Sequence, residues 1–218
     1  MRTILLSIFL IFTLDSFSQQ KVWTGDTTYW YDYQKQITNK FTLDNLSKSL
    51  YPFSFRISSL NTIIDIWTED GTKFLGRQTF FTSTSDENPE EIKYLSKKVT
   101  IREDTAQLIN QLIEDYGLQN LPVQDSIKDW GNGFDGTIYL IEFATTKSYS
   151  FKSYWTPQAF PSIPEAVTLA NFVSKIEDLL MQKQTFDSFI NSLPTNKSYR
   201  YGNSWTVIRM NSKTKKKK

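Results

Sequence analysis

The chain contains no cysteine and no histidine among its 218 residues. Without cysteine it forms no disulfide and offers no lipobox thiol for lipid attachment, so its stability must come from packing. The lack of both residue types excludes Ser-His-Asp and Cys-His nucleophilic catalysis, together with the usual zinc sites. The enzymes that remain would use paired carboxylates, a Ser-Lys pair or a hard metal held by oxygen ligands.

The first 18 residues have the layout of a secretory signal peptide. Arg2 supplies a positive charge, and an apolar run of 11 residues follows at 4–14, too short to span a bilayer. Ser16 and Ser18 are the small residues expected before a cleavage site, which we place between Ser18 and Gln19. We therefore expect a secreted or periplasmic protein with a mature chain of 200 residues, enough to bury a substantial core.

The net charge of +2 hides an uneven distribution. Five lysines lie in the last six positions, and the rest of the chain has 20 basic against 23 acidic residues, a net charge of −3. A terminal block of like charges is typical of a disordered tail, so residues 211–218 are predicted to be a solvated Lys-rich tail that could touch anionic surfaces. An acidic body without a basic stripe argues against binding of nucleic acid.

Residues 51–210 combine strand and helix patterns. Alternation and β-branched runs predict strands over 53–57, 62–67, 73–82, 92–101 and 137–143, and a further strand after a hairpin loop at 145–148. Apolar spacing predicts helices that start near Asp104 and Ser162, a third helix over 186–193, and a final strand or hairpin over 199–210. We expect a single α+β domain, mainly an antiparallel sheet with two or three helices packed on one face.

Residues 19–50 form an aromatic-rich N-terminal segment. Five aromatic residues occur between positions 22 and 33. In an exported protein such a cluster indicates either a sugar-stacking surface or an edge strand packed on the core, and the edge strand is the favoured interpretation. Thr42 or Asp44 could cap a short helix further along this segment.

The loop at 131–136 matches the letters of the G-x-G-x-x-G phosphate-binding motif. That motif needs a strand before it and a helix after it, whereas here a polar loop precedes and a strand follows, so the glycines are predicted to shape a tight loop. Asp125, Asp129, Asn132 and Asp135 could supply oxygen ligands for calcium, but they are ordinary turn residues without EF-hand spacing. We predict no metal and no cofactor.

Glu142 is the acidic residue with the sharpest functional question. Alternation places it on one face of its strand with Ile138, and an even-length hairpin loop at 145–148 would put it opposite Phe151 and put Ile138 opposite Trp155. On so aromatic a face its pKa would be raised unless a cation pairs with it. The candidate cations are Lys152, Arg56, Arg77 and Arg102. Glu142 is then either a general acid or ligand-binding carboxylate, or a strand-end residue or structural ion pair.

Two short patterns carry a resemblance. Residues 133–142 fit G-x-D-G-x-x-[YW]-x-x-E, and residues 149–157 fit Y-x-x-x-x-Y-W-x-P. In these patterns and in the short signal ending in serine, the chain resembles uncharacterised exported proteins of Bacteroidota. The resemblance implies an exported α+β domain and carries over no activity, substrate or site residue.

The leading hypothesis is a non-enzymatic binding or interaction domain with an aromatic-rich site at Tyr139, Glu142, Tyr154 and Trp155. One alternative is a hydrolase of glycan or peptide that uses Glu142 and Asp135 as carboxylates. Another is an accessory or immunity-type protein that binds another protein. The expected partners are accordingly a glycan, a peptide or an envelope protein.

Overall fold

A computed structural model describes residues 21–25, 29–85, 88–195, 197–202 and 207–209. The predicted signal peptide and the Lys-rich tail lie outside these residues. The strands within the described ranges are β1 (Val22–Gly25), β2 (Phe53–Ser59), β3 (Thr62–Thr68), β4 (Phe74–Ser83), β5 (Tyr94–Ile101), β6 (Ile138–Ala144), β7 (Ser148–Trp155), β8 (Ser198–Arg200) and β9 (Val207–Arg209). The helices are α1 (Tyr29–Lys40), α2 (Glu103–Asp115), α3 (Pro164–Leu179) and α4 (Gln182–Ser192).

Seven of the strands form one sheet in the order β1-β7-β6-β2-β3-β4-β5. The neighbours are antiparallel except for β1, which pairs with β7 in parallel at one edge. The strands β8 and β9 form a separate antiparallel hairpin, as predicted for the C-terminal segment. The prediction of a single α+β domain with a mainly antiparallel sheet is therefore confirmed.

Three helices pack on one face of the sheet, which also confirms the predicted layering. Phe172 of α3 meets Phe55 of β2 with ring centroids 6.0 Å apart, and α2 lies across β3 and β4. Phe189 of α4 stacks on Phe80 of β4 at 6.2 Å. The main hydrophobic core lies in this layer because the inward positions of β2, β3 and β6 are apolar.

Two helices begin one or two residues away from the starts predicted for them. The helix α2 begins at Glu103 with Arg102 as its N-cap, so Asp104 lies in the first turn and interacts with the Arg102 side chain. The helix α3 begins at Pro164 with Ile163 as its N-cap, and Ser162 precedes it. An acidic side chain in the first turn stabilises a helix through the helix dipole without being the N-cap. Sequence alone therefore does not distinguish an N-cap residue from a first-turn residue.

The opposite face of the sheet is covered by α1, which the sequence analysis did not predict. Residues 22–25 form the expected edge strand, but the aromatic run continues into a helix from Tyr29. Ile37 of α1 and Phe41, which directly follows the helix, pack against Ile63 and Phe81 of the sheet. The short helix expected after Thr42 or Asp44 is a 3₁₀ turn at Leu46–Lys48, capped by the Asn45 side chain. The N-terminal segment therefore closes the second layer of the domain.

Candidate functional site

Glu142 lies where strand alternation predicted. In the register of β6 and β7 it faces Phe151, Ile138 faces Trp155, and residues 145–148 make the connecting loop. The register also settles its cation, because Arg56 on β2 is the direct neighbour of Glu142 across the sheet. Lys152 follows Phe151 and so points to the other face, where its amine donates to the carbonyl oxygens of Gln119 and Leu121.

The Glu142 carboxylate is buried, with 5 % of the residue exposed, and it accepts from three side chains. Arg56 Nη1 lies 3.4 Å from Oε1, Gln34 Nε2 donates to Oε1 at 3.1 Å, and Tyr149 OH donates to Oε2 at 2.7 Å. Burial, together with the neighbouring Glu142 charge, raises the pKa of Tyr149. Glu142 is therefore a member of a buried ion-pair network.

Arg56 is the centre of that network and is only 1 % exposed. Its Nε lies 2.5 Å from Asp65 Oδ1, and Nη2 donates to the carbonyl oxygen of Asp44 at 3.0 Å. Arg77 completes the arrangement, with Nη2 2.9 Å from both Asp65 Oδ2 and Asp44 Oδ2. Burial acts to lower the pKa of Arg56, but the carboxylates of Asp65 and Glu142 outweigh it and raise that pKa.

The four residues predicted as a ligand site are divided between the two faces of the sheet. Tyr139 and Tyr154 lie in the main core, where Tyr154 OH donates to the carbonyl oxygen of Pro122 at 2.8 Å. Glu142 and Trp155 share the other face but lie towards opposite ends of the hairpin. Tyr139 borders a groove between the end of β2 and α4, whereas Trp155 lines a different, open groove beside α1.

That groove has a volume of about 730 Å³, within the usual range for ligand sites. It lies between α1, the ends of β2 and β6, and the glycine-rich loop at 131–136. Five aromatic side chains contribute to its walls: Trp30, Tyr33, Phe81, Phe134 and Trp155. Asp135 lines the groove as well, whereas Glu142 is outside it and borders a much smaller cavity beside α1.

The glycines of the loop are explained by its close approach to Trp155. A Cβ on Gly133 would lie 2.5 Å from Cη2 of the indole ring, and one on Gly136 would lie 2.7 Å from its Nε1. Neither glycine has a positive φ. The loop packs directly on the ring and leads into β6, so the prediction of a tight loop before a strand is confirmed. Phe134, between these two glycines, is fully exposed.

We expect Gly133→Ala to lower the free energy of unfolding by about 1–3 kcal/mol, because the added methyl group overlaps the Trp155 ring. The matched control is Gly131→Ala, since a Cβ at Gly131 meets no atom within 4 Å. Urea denaturation followed by circular dichroism measures both variants. Equal stability of the two would contradict the close approach.

No group of three or more acidic side chains that could hold a metal ion occurs in the part of the chain that the structure describes. Asn132, one of the oxygen ligands considered for calcium, accepts a hydrogen bond from Gln124 Nε2 at 2.9 Å. Asp129 occupies a turn with a positive φ of 67°. Asn132 is therefore engaged in a hydrogen bond within the loop, and Asp129 is a turn residue.

Sequence reasoning missed the α1 wall of the groove, although a signal for it exists. Trp30, Tyr33, Gln34 and Ile37 follow the i, i+3, i+4, i+7 spacing of one helix face. Reading the aromatic cluster as a strand hid this period, because aromatic residues also favour strands. All four line the groove.

No protein-family model matches the chain, and no curated protein matches it either. The resemblance to exported proteins of Bacteroidota therefore stays a prediction. In the described ranges, no helix is long and apolar enough to cross a membrane.

Proposed function

We propose that the protein is an exported, non-enzymatic binding domain whose ligand site is the groove between α1 and the loop at 131–136. The observation that carries the proposal is Phe134, a fully exposed aromatic residue on a loop that glycine contacts hold against Trp155. Single exposed apolar residues are common on protein surfaces, but Phe134 stands at the mouth of a groove that has further aromatic walls. Its ring therefore extends the apolar surface that the groove offers to a ligand.

The described lining of the groove is mostly apolar and aromatic, with a few polar groups among them. This mixture is typical of small-molecule and oligomer binding sites, where apolar walls supply affinity and the polar atoms set orientation. A glycosidase of the usual kind needs two carboxyl groups on either side of the scissile bond. Among the described lining residues Asp135 is the one carboxylate, which favours binding over hydrolysis.

Titration with Nile red, a neutral apolar dye, tests whether the groove takes up a ligand. We expect saturable binding by the folded protein, with Phe134→Ser weakening the affinity about tenfold through loss of an aromatic contact. Leu108→Ser is the matched control, because Leu108 is a partly exposed apolar residue on α2, across the sheet. Binding that does not saturate, or an equal loss in both variants, would count against the proposed site.

A further inference from the structure

Gln34 joins the groove to the buried ion-pair network. Its side chain lines the groove, and its Nε2 donates to Glu142 Oε1 at 3.1 Å. A carboxylate surrounded by donors acts as an acceptor, so the amide nitrogen of Gln34 must face it and the amide oxygen must face away. Glu142 therefore fixes the orientation of Gln34 and is a positioning residue for the groove.

The amide oxygen of Gln34 has no hydrogen-bond partner among the described residues, although Gln34 is only 2 % exposed. Buried polar atoms are nearly always paired, and an exception calls for an explanation. Ser58 on β2 shows the same feature, because it is buried and its Oγ also lacks a partner in the described ranges. Both residues line the same groove.

The charges around the groove restrict the ligand further. Asp135 is the single charged side chain among its described lining residues, and neither lysine nor arginine contributes. Phosphate or carboxylate groups on a ligand would therefore find no cation there. Asp135 is exposed, so its own attraction for a cation is weakened by water and salt.

We infer that the groove binds a neutral oligosaccharide, with the Gln34 amide oxygen accepting a hydrogen bond from a sugar hydroxyl and Ser58 Oγ pairing with a second one. The inference rests on the binding function proposed above. A sugar ring presents an apolar C–H face and a rim of hydroxyl groups. Trp30 and Trp155 offer aromatic surface for the face, while Gln34 and Ser58 offer partners for the rim.

Isothermal titration with neutral hexasaccharides built from glucose, mannose, galactose or xylose tests the inference on the full mature chain. We expect at least one of them to bind, and Gln34→Met and Ser58→Ala each to weaken that binding about five- to tenfold, the effect of losing one hydrogen bond. Ser58→Ala removes an oxygen that bonds to nothing else described, so this variant should fold normally.

Matched controls exist for both substitutions. Gln36→Met alters an exposed glutamine on the same helix, and Ser150→Ala removes another hydroxyl with no described partner at a position outside the groove. Both controls should keep the hexasaccharide affinity within about twofold, because neither touches the proposed contacts. Recovery of the hexasaccharide uncleaved after incubation supports binding without hydrolysis, whereas cleavage would overturn it.

Glu142→Gln separates positioning from a merely structural role. A glutamine at this site both donates and accepts, so it no longer fixes the amide of Gln34. We expect the variant to lose hexasaccharide affinity about as much as Gln34→Met does, while its affinity for Nile red stays within about twofold because the aromatic walls are unchanged. An equal loss for both probes would show a structural role only and overturn the positioning.

Two further outcomes would overturn the glycan inference itself. One is binding of hexalysine without binding of any neutral hexasaccharide, which would identify a cationic peptide as the ligand. The other is binding of a hexasaccharide that Gln34→Met and Ser58→Ala leave unchanged. If no hexasaccharide binds while Nile red still binds in a Phe134-dependent way, the glycan inference fails and the proposed binding site stands.

Discussion

Arg56→Met is expected to lower the free energy of unfolding by about 3–5 kcal/mol, the cost of removing one partner from a buried ion pair. The arginine is almost fully buried and faces both Asp65 and Glu142, so its loss leaves carboxylates in the core with too few donors. Since domains of this size are stable by about 5–15 kcal/mol, the urea midpoint should fall strongly. Equilibrium denaturation followed by tryptophan fluorescence measures it.

Arg102→Met is the matched control for this experiment. Arg102 also pairs with an aspartate, Asp104, but both side chains are largely exposed. Surface pairs contribute little because water and salt screen them, so the midpoint of the control should stay unchanged. An unchanged midpoint in Arg56→Met as well would show that the buried network does not stabilise the fold.

The same network predicts coupling between its members. Adding Glu142→Met to Arg56→Met removes one of the stranded carboxylates, so the double variant should be more stable than the sum of the single losses implies. We expect a coupling energy of about 0.5–3 kcal/mol, the usual range for residues in one ion-pair network. Purely additive losses would contradict a direct interaction between Arg56 and Glu142.

Trp130→Ala is expected to lower the free energy of unfolding by about 3–5 kcal/mol, as for other buried tryptophans. The ring packs on Tyr154 and Phe160 with centroids 5.4 and 6.0 Å away, and Nε1 donates to the carbonyl oxygen of Trp155 at 2.9 Å. The substitution therefore leaves a cavity at the start of the loop that presents Phe134, and it removes a donor from the carbonyl group of Trp155.

Phe134→Ala is the matched control within the same loop. Because Phe134 is fully exposed, its removal leaves no cavity and should leave the urea midpoint unchanged. The pair thus separates an aromatic residue that stabilises the fold from one that is free to contact a ligand. Similar losses in both variants would contradict the assignment of Phe134 to a binding role.

Strand positions and side-chain faces followed from the sequence because the period of two is a local property. The hairpin of β6 and β7 has the predicted loop and the predicted opposition of Glu142 to Phe151. Lys152, one of the candidate cations, lies on the opposite face from Glu142 because it pairs with Ile141. The choice among the arginines needed the pairing of β2 with β6, which joins residues 86 positions apart.

The helix α1 shows why local patterns were insufficient for the second layer. Its buried face includes Gln34 and Thr38, polar residues that become buried only because Glu142 and Arg56 lie beneath them. A polar residue counts against burial in any sequence pattern, while the aromatic residues around it favour a strand. The tertiary contacts outweighed both tendencies.

The sequence by itself determined the class of fold and the faces of the central hairpin. It also excluded the types of catalysis that need cysteine or histidine. Only the tertiary structure decided that Glu142 belongs to an ion-pair network and that the groove lies beside Trp155, away from Glu142. The groove brings together α1, the end of β2, the glycine loop and Trp155, which are distant in sequence. Their meeting depends on strand order and helix packing, and these are settled by the total burial of the chain and not by any one segment.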